Sequence, residues 1–256
     1  MSLFRSAALA LALAGLAAPA LAQDKIVIGT EAAYPPFAYV LPSGELEGFD
    51  ISIAKALCAD MGESCTMVKV DWDGIIPALL EKKCDAIIAS MSATDERKQV
   101  IDFTGKYYIA PNQFAGRKDA GLTATPEGMA GKRVGVQRGT IHQAYMEKHF
   151  PQTELVLYGS MDEAQLDLTS GRIDAVIGDG IQIDAGLLKT PQGADYAFFG
   201  EPVYDPEIHG TGASIGVRKE DVELRDKLSA AILDIREKGV YQDISNRYFG
   251  MDIYGS

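Results

Sequence analysis

Positive charge, histidine and cysteine are all scarce in this chain of 256 residues, whose 24 Lys+Arg stand against 36 Asp+Glu for a formal net charge of -12. That deficit argues against a nucleic-acid partner, which needs clustered positive charge to displace counterions from phosphates. The three histidines are His142, His149 and His209. His142 and His149 fall seven apart on one expected helix, a spacing that reads as a surface stripe rather than as the paired ligands of an HExxH zinc helix. The three cysteines form no CxxC pair, which argues against structural zinc and thioredoxin-type chemistry. A GxSxG elbow and a P-loop are both missing. Carboxylates are abundant, but nothing selects a catalytic pair, so no catalytic residue, metal or cofactor is expected. No stretch after residue 22 is long and apolar enough to span a bilayer, and a soluble exported protein is expected.

The N-terminus is where apolar residues do run together. Arg5 precedes the run from Ala7 to Ala18, and Ala20-Leu21-Ala22 closes it with small residues around a cleavage point. Residues 1–22 therefore read as a secretory signal peptide, too short for the ~20 apolar residues of a spanning helix. With 47% hydrophobic and 23% charged residues, the remainder can bury a sizeable core. Export also changes how the cysteines read. Cys58 and Cys65 flank the end of an expected helix and the start of a strand, and an oxidising compartment lets them pair. Cys84, opening the apolar strand Cys84-Asp85-Ala86-Ile87-Ile88, reads as a buried free thiol.

Strand and helix signals alternate along the chain. A strand over Lys25–Thr30 is followed by a turn-rich stretch containing Tyr34-Pro35-Pro36-Phe37. A helix over Phe49–Met61 carries Ile53, Ala54, Leu57 and Met61 at helical spacing and stops at Gly62. Strand Thr66–Val70, helix Trp72–Lys82 and strand Asp85–Ser90 repeat the rhythm. The pattern restarts with strand Arg133–Gln137, helix Ile141–Phe150, strand Leu155–Tyr158, helix Asp162–Thr169, strand Ile173–Ile177 and a helix near Ile183–Leu188. It closes with strand Ser214–Arg218 and helices Val222–Lys238 and Gln242–Tyr248. Such alternation implies an α/β protein with mostly parallel sheets, each flanked by helices. An internal echo, Lys83-Cys84-Asp85-Ala86-Ile87-Ile88-Ala89-Ser90 against Arg172-Ile173-Asp174-Ala175-Val176-Ile177-Gly178-Asp179, supports two lobes of similar build. The expected division is 23–110 for the first lobe, 111–205 for the second, and 206–256 returning to the first, with two crossing strands as hinge. Ser90 and Asp179 then sit at the carboxyl ends of buried strands, where open α/β sheets bind ligands.

Three stretches offer binding chemistry. In Ser90-Met91-Ser92-Ala93-Thr94-Asp95-Glu96-Arg97 a strand gives way to a short helix whose N–H groups and Arg97 fork suit a carboxylate. The local alternative has Thr94 capping the helix while Arg97 faces solvent. Val136-Gln137-Arg138-Gly139-Thr140-Ile141 makes a second strand-to-helix turn, where Thr140 can cap the helix and offer a hydroxyl from the other lobe. Glu31, Tyr34 and Trp72 follow the first two strands and combine aromatic faces with a negative charge, a setting for a cation.

Together these residues resemble the periplasmic polar amino-acid binding proteins of ABC importers, closest to the lysine/arginine/ornithine and histidine binders. The resemblance spans nearly the whole mature chain. It rests on Gly29-Thr30-Glu31, Tyr34-x-Pro36-Phe37, Gly48-Phe49-Asp50, Trp72-Asp73-Gly74-Ile75-Ile76-Pro77, Lys83-Cys84-Asp85-Ala86-Ile87, Ser90-Met91-Ser92-x-Thr94-x-x-Arg97, Val134-Gly135-Val136, Gly171-Arg172-x-Asp174-Ala175 and Val217-Arg218-Lys219. It implies a two-lobed periplasmic-binding-protein fold and a Cys58–Cys65 disulfide. It implies that Arg97 binds the ligand α-carboxylate with Ser92 and Thr140, and that Asp179 takes the α-ammonium with Ser90. Tyr34 and Trp72 would sandwich the side chain and Glu31 would hold its distal charge, with Met91, Gln137 and Ile141 also at the ligand. Glu31 reaches one methylene further than the Asp often found there in close relatives, and Ile141 replaces a common hydroxyl residue. Arg138, if turned into the cleft, would oppose a cation. The implied partners are a cationic amino acid and, transiently, an inner-membrane permease, for a monomeric periplasmic protein. Two alternatives remain: a binder of octopine- or nopaline-type opines, which Asp179 disfavours, and an enzyme like cyclohexadienyl dehydratase on the same fold.

Overall fold

A computed structural model describes residues 25–255; the expected signal segment lies outside them. Strand β1 (Ile26–Thr30) leads into a small antiparallel sheet of β2 (Ala33–Tyr34), β3 (Ala38–Val40) and β4 (Leu46–Glu47). Helix α1 (Phe49–Met61) follows, with Ile53, Ala54 and Leu57 on its buried face. Its end is set by Gly62, whose φ of 69° belongs to the left-handed region. The Gly62 N–H donates to Ala59 O at 3.2 Å and the Glu63 N–H to Cys58 O at 2.9 Å, which satisfies two of the helix's last carbonyls. Cys65 opens β5 (Cys65–Lys69) directly beyond this turn, and a disulfide to Cys58 spans it with the Cα atoms 6.1 Å apart.

The first lobe continues through a 3-10 turn at Trp72–Gly74, α2 (Ile75–Leu80), β6 (Ala86–Ile87), α3 (Asp95–Lys98) and β7 (Asp102–Tyr108). The second contains β8 (Asn112–Arg117), α4 (Pro126–Met129), β9 (Arg133–Gln137), α5 (Ile141–His149), β10 (Glu154–Tyr158) and α6 (Met161–Thr169). It ends with β11 (Ala175–Asp179), α7 (Gly180–Ile183) and β12 (Tyr196–Val203). After α8 (Pro206–His209) the chain adds β13 (Ala213–Val217), α9 (Val222–Glu237) and α10 (Val240–Phe249). The two large sheets run β5-β1-β6-β13-β7 and β10-β9-β11-β8-β12.

In each sheet the expected parallel βα units form the three strands on one side: β1 pairs parallel with β5 and β6, and β9 with β10 and β11. The other two strands pair antiparallel with each other, and β13 and β8 pair antiparallel with the neighbouring strand of the parallel set, as connectivity explains. Strand β7 leaves the first lobe beside β13, which enters it; β8 enters the second beside β12, which leaves it. Strands carrying the chain out and back must run opposite ways, and they need no crossover helix. Apolar residues cover both faces of both sheets. Ile28, Leu57 and Ile232 pack on one face of the first and Ile75, Leu79 and Ile87 on the other; Met161, Leu168 and Val176, then Phe114, Val134 and Ile177, do the same in the second. Cys84 is buried and free.

Candidate ligand-binding site

A cavity of about 270 Å³ lies between the two large sheets, at the carboxyl ends of β1, β6, β9 and β11. Glu31, Tyr34, Trp72, Ser90, Ser92 and Arg97 line it from the first lobe, and Gln137, Thr140, Ile141 and Asp179 from the second. Met91 does not. It is buried among Ile75, Leu79 and Phe103 in the apolar core. The strand has already ended at Ile87 and the chain bends at Ser90, which leaves Ser90 and Ser92 at the cavity and sends Met91 into the core.

Arg97 lies on the short α3, and of the local alternative for its segment the cap is present but the solvent-facing Arg97 is not. Thr94 caps the helix, its Oγ1 accepting from the Arg97 N–H at 3.2 Å. The Arg97 side chain nonetheless turns inward: Nη1 donates to Ser92 O at 2.9 Å and Nη2 to Gly139 O, in the other lobe, at 3.0 Å. Its guanidinium carbon sits 5.2 Å from the Trp72 ring centroid. Desolvation lowers its pKa to about 10, and its two hydrogen-bond partners are uncharged carbonyls. The site therefore holds a cation that an anionic group would complete.

Behind Arg97, Ser90 is held at φ 54°, in the left-handed region costly for a residue with a Cβ. A buried network fixes it there. The Ser90 N–H donates to Tyr107 Oη at 3.0 Å, its Oγ donates to Asp50 Oδ2 at 3.0 Å, and the Tyr107 hydroxyl donates to Asp50 Oδ1 at 2.9 Å. Asp50 lies at the start of α1, and burial pushes its pKa up to about 7.

Two further carboxylates face the cavity itself. Asp179 ends β11 and caps α7, its Oδ1 accepting from the N–H groups of Ile181 and Gln182 at 2.8 and 3.2 Å. Its Oδ2 accepts only a long bond, 3.3 Å, from the Tyr108 hydroxyl, and burial raises its pKa to about 7. Glu31, just past β1, is 5% exposed. Its Oε1 accepts from Gln137 Nε2 across the lobes at 2.6 Å. Desolvation raises Glu31 to about 8; the Gln137 bond acts the other way, and Asp162, Asp71 and Asp73 add to the rise. Thr140 caps α5, and its hydroxyl accepts from Gln143 N–H at 3.3 Å and gives its one hydrogen to Gln137 O at 2.7 Å. Arg138 does not line the cavity. It pairs across the lobes with Asp73 at 3.1 Å.

Other lining residues escape the sequence reading: Tyr108 and Asn112 at the first crossing, Tyr204 and His209 at the second, and His142 at the start of α5. His142 corrects an expectation. It is 6% exposed, hydrogen-bonded through Nε2 to Asn112 Oδ1 at 2.8 Å, and desolvation lowers its pKa to about 3. The seven-residue spacing does put His142 and His149 on one face, but that face meets the crossing segments, where His149 Nε2 reaches Asp205 Oδ2 at 2.7 Å. Among the described residues no cluster of three or more His, Cys, Asp or Glu has the arrangement of a metal site, and no helix is long and apolar enough to cross a membrane.

Two βα lobes joined by two crossings, with an interlobe cavity bearing one guanidinium and two carboxylates, define a two-lobed solute-binding protein. The sequence matches the bacterial extracellular solute-binding proteins, family 3, over residues 26–251, and the chain belongs to that family. It is 45% identical over 250 residues to the L-arginine-binding protein of Pseudomonas aeruginosa, with 96% of each chain covered. It is 42% identical over 234 residues to the histidine-binding periplasmic protein of Escherichia coli, covering 91% of this chain and 90% of that one. Among solved structures, a Salmonella typhimurium periplasmic binding protein described for high arginine specificity superposes with a TM-score of 0.82 at 33% identity, covering 88% of this chain and 99% of that one. The relatives named are binding proteins.

Proposed function

We propose that this chain is the periplasmic solute-binding component of an ABC importer, exported by its N-terminal segment and acting as a monomer without catalysis. Its lobes are residues 23–110 with 206–256, and 111–205. It captures a cationic amino acid, of the arginine, lysine, ornithine or histidine type, and presents it to a membrane permease. One observation carries this reading: a cavity between the lobes combines Arg97, whose partners are neutral, with two separate buried carboxylates, Glu31 and Asp179, beside Tyr34 and Trp72. A zwitterion with a second positive group supplies the missing counter-charge at each point.

Arg97 holds the α-carboxylate. Because the one hydrogen of the Thr140 hydroxyl goes to Gln137 O, that residue contributes to a carboxylate through its backbone N–H, as does Ser92. Asp179 Oδ2 takes the α-ammonium. Ser90, whose hydroxyl hydrogen goes to Asp50, helps as an acceptor. Tyr34 and Trp72 flank the side chain, and Glu31 meets its distal charge. Closure brings the turn Gln137-Arg138-Gly139 onto Glu31, Asp73 and Arg97, and a ligand that bridges both lobes favours this closed form over an open one.

A thermal-shift panel of arginine, lysine, ornithine, histidine, glutamine, octopine and nopaline tests the assignment. The largest rise is expected for a cationic amino acid; no response to the basic set refutes it, and a larger rise with an opine replaces it with the opine reading. Arg97→Ala abolishes binding of every α-amino acid, whereas Glu31→Gln weakens chiefly the cationic ones. Turnover of prephenate or arogenate would overturn the non-enzymatic part.

A further inference from the structure

Gln137 is 3% exposed, lines the cavity and stands opposite Glu31 across the cleft. Its Nε2 donates twice, to Glu31 Oε1 at 2.6 Å and to Gly159 O at 3.2 Å. Both amide hydrogens are thereby used, and the orientation of the amide is fixed. What the side chain can still offer is its carbonyl oxygen, an acceptor only. Glu31, with Oε1 committed to Gln137, can still offer Oε2. Once Glu31 is ionised, as a docked cation makes it, the distal end of the cavity therefore presents two acceptors of defined direction, one from each lobe.

We infer that Gln137 is a positioning and specificity-determining residue that, with Glu31, makes the distal subsite select a guanidinium over an ammonium. This rests on the cationic amino-acid reading above and deepens it. A guanidinium is planar and carries its five N–H donors in a rigid fork, so it can give one hydrogen to Glu31 Oε2 and another to Gln137 Oε1 in a single plane. An ammonium is a compact, strongly hydrated charge whose three donors point tetrahedrally. Its donors diverge from a single nitrogen, so it cannot set two N–H bonds from separate nitrogens in one plane against acceptors on the two lobes, as the fork does. Since one acceptor belongs to each lobe, the distal group also helps to hold the closed form, and Gln137 couples cation choice to closure.

Titration calorimetry of ligand-stripped wild type, Gln137→Met and Gln137→Leu with arginine, lysine and ornithine tests this. Wild type is expected to bind arginine at least about tenfold more tightly than lysine or ornithine, the worth of roughly one further hydrogen bond to a charged donor. In both variants that ratio falls to within about threefold, arginine losing more affinity than lysine or ornithine. A wild type that binds lysine as tightly as arginine, or a ratio that survives in either variant that still binds, overturns the inference and leaves the amino-acid reading standing. Failure of wild type to bind any of the three removes both.

Discussion

Ligand binding in this cleft is expected to release protons, and to do so in a way that separates charged from neutral ligands. The perturbation is a change of pH from 6 to 8. In the closed cleft burial holds Glu31 near 8 and Asp179 near 7. An ammonium or guanidinium docked on either carboxylate reverses that penalty and returns the group to the ordinary carboxylate range. Affinity then scales with the fraction already ionised. For Glu31 that fraction rises from about 1 in 100 at pH 6 to about 1 in 2 at pH 8, roughly a fifty-fold gain, or about 2.3 kcal/mol. For Asp179 the same change gives roughly tenfold. Arginine meets both carboxylates and should gain several hundredfold, whereas glutamine, which has only its α-ammonium to offer, should gain about tenfold. The assay is calorimetry in buffers of different ionisation enthalpy, which counts protons directly. At pH 7 arginine should release between about one and two protons and glutamine fewer than one. Glu31→Gln should bring arginine down to the glutamine slope. Parallel affinity curves for the two ligands across this range, with equal proton release, would refute the reasoning.

Three further outcomes follow from the fold and the lobe contacts. Reducing the Cys58–Cys65 disulfide, which closes a short loop across the end of α1, should cost ~2.5 kcal/mol in a denaturant titration, without altering the arginine-to-lysine preference. Gly48→Ala should destabilise the first lobe by about 3 kcal/mol or more, because φ is 130° there and an added Cβ would lie 2.2 Å from the Phe37 carbonyl oxygen; a melting temperature within a degree of wild type would contradict this. Asp73→Ala removes the Arg138 pair, which is half exposed on both sides, and should weaken all amino-acid ligands alike by no more than about fivefold, an effect that fades in high salt.

How much of this was legible depended on where periodicity and local chemistry agreed. Helix α1 matches its expected span at both ends because an apolar stripe and a left-handed glycine both mark it. Strand β9 matches as well, its burial being nearly continuous. The crossing strands β7, β8 and β12 did not announce themselves. Gly105 interrupts β7 and Gly116 interrupts β8; β12 contains Gly200 and Pro202 and bulges between Phe199 and Val203. At Gly116 the glycine reflects packing rather than a turn, since a Cβ would meet Leu122 at 2.8 Å and the Asp174 carbonyl at 3.1 Å. The expected strand Asp85–Ser90 shrinks to Ala86–Ile87, its carboxyl end bending into the strained Ser90 that the cavity uses. For the cavity, motif spacing located the groups on strand ends. It could not reveal Tyr108, Asn112 and His142, which reach the same space only because the chain crosses between lobes there.

The acidity noted at the outset acquires a more particular meaning in the cleft. Selectivity for a cation over a neutral amino acid does not require Glu31 to repel the neutral one. With its carboxyl held near 8, Glu31 is mostly protonated at pH 7 and can accommodate an uncharged side chain without a buried charge. A cationic ligand displaces that proton and replaces it with a pair shielded from water by both lobes. Discrimination is thus a competition between a proton and a ligand cation for one carboxylate. It strengthens as pH rises toward 8 and fades as the proton wins below 6. A fixed, fully ionised surface carboxylate would discriminate weakly at every pH, since solvent screens it. The raised pKa and the cation preference are two consequences of one cause, the burial of Glu31 between the lobes.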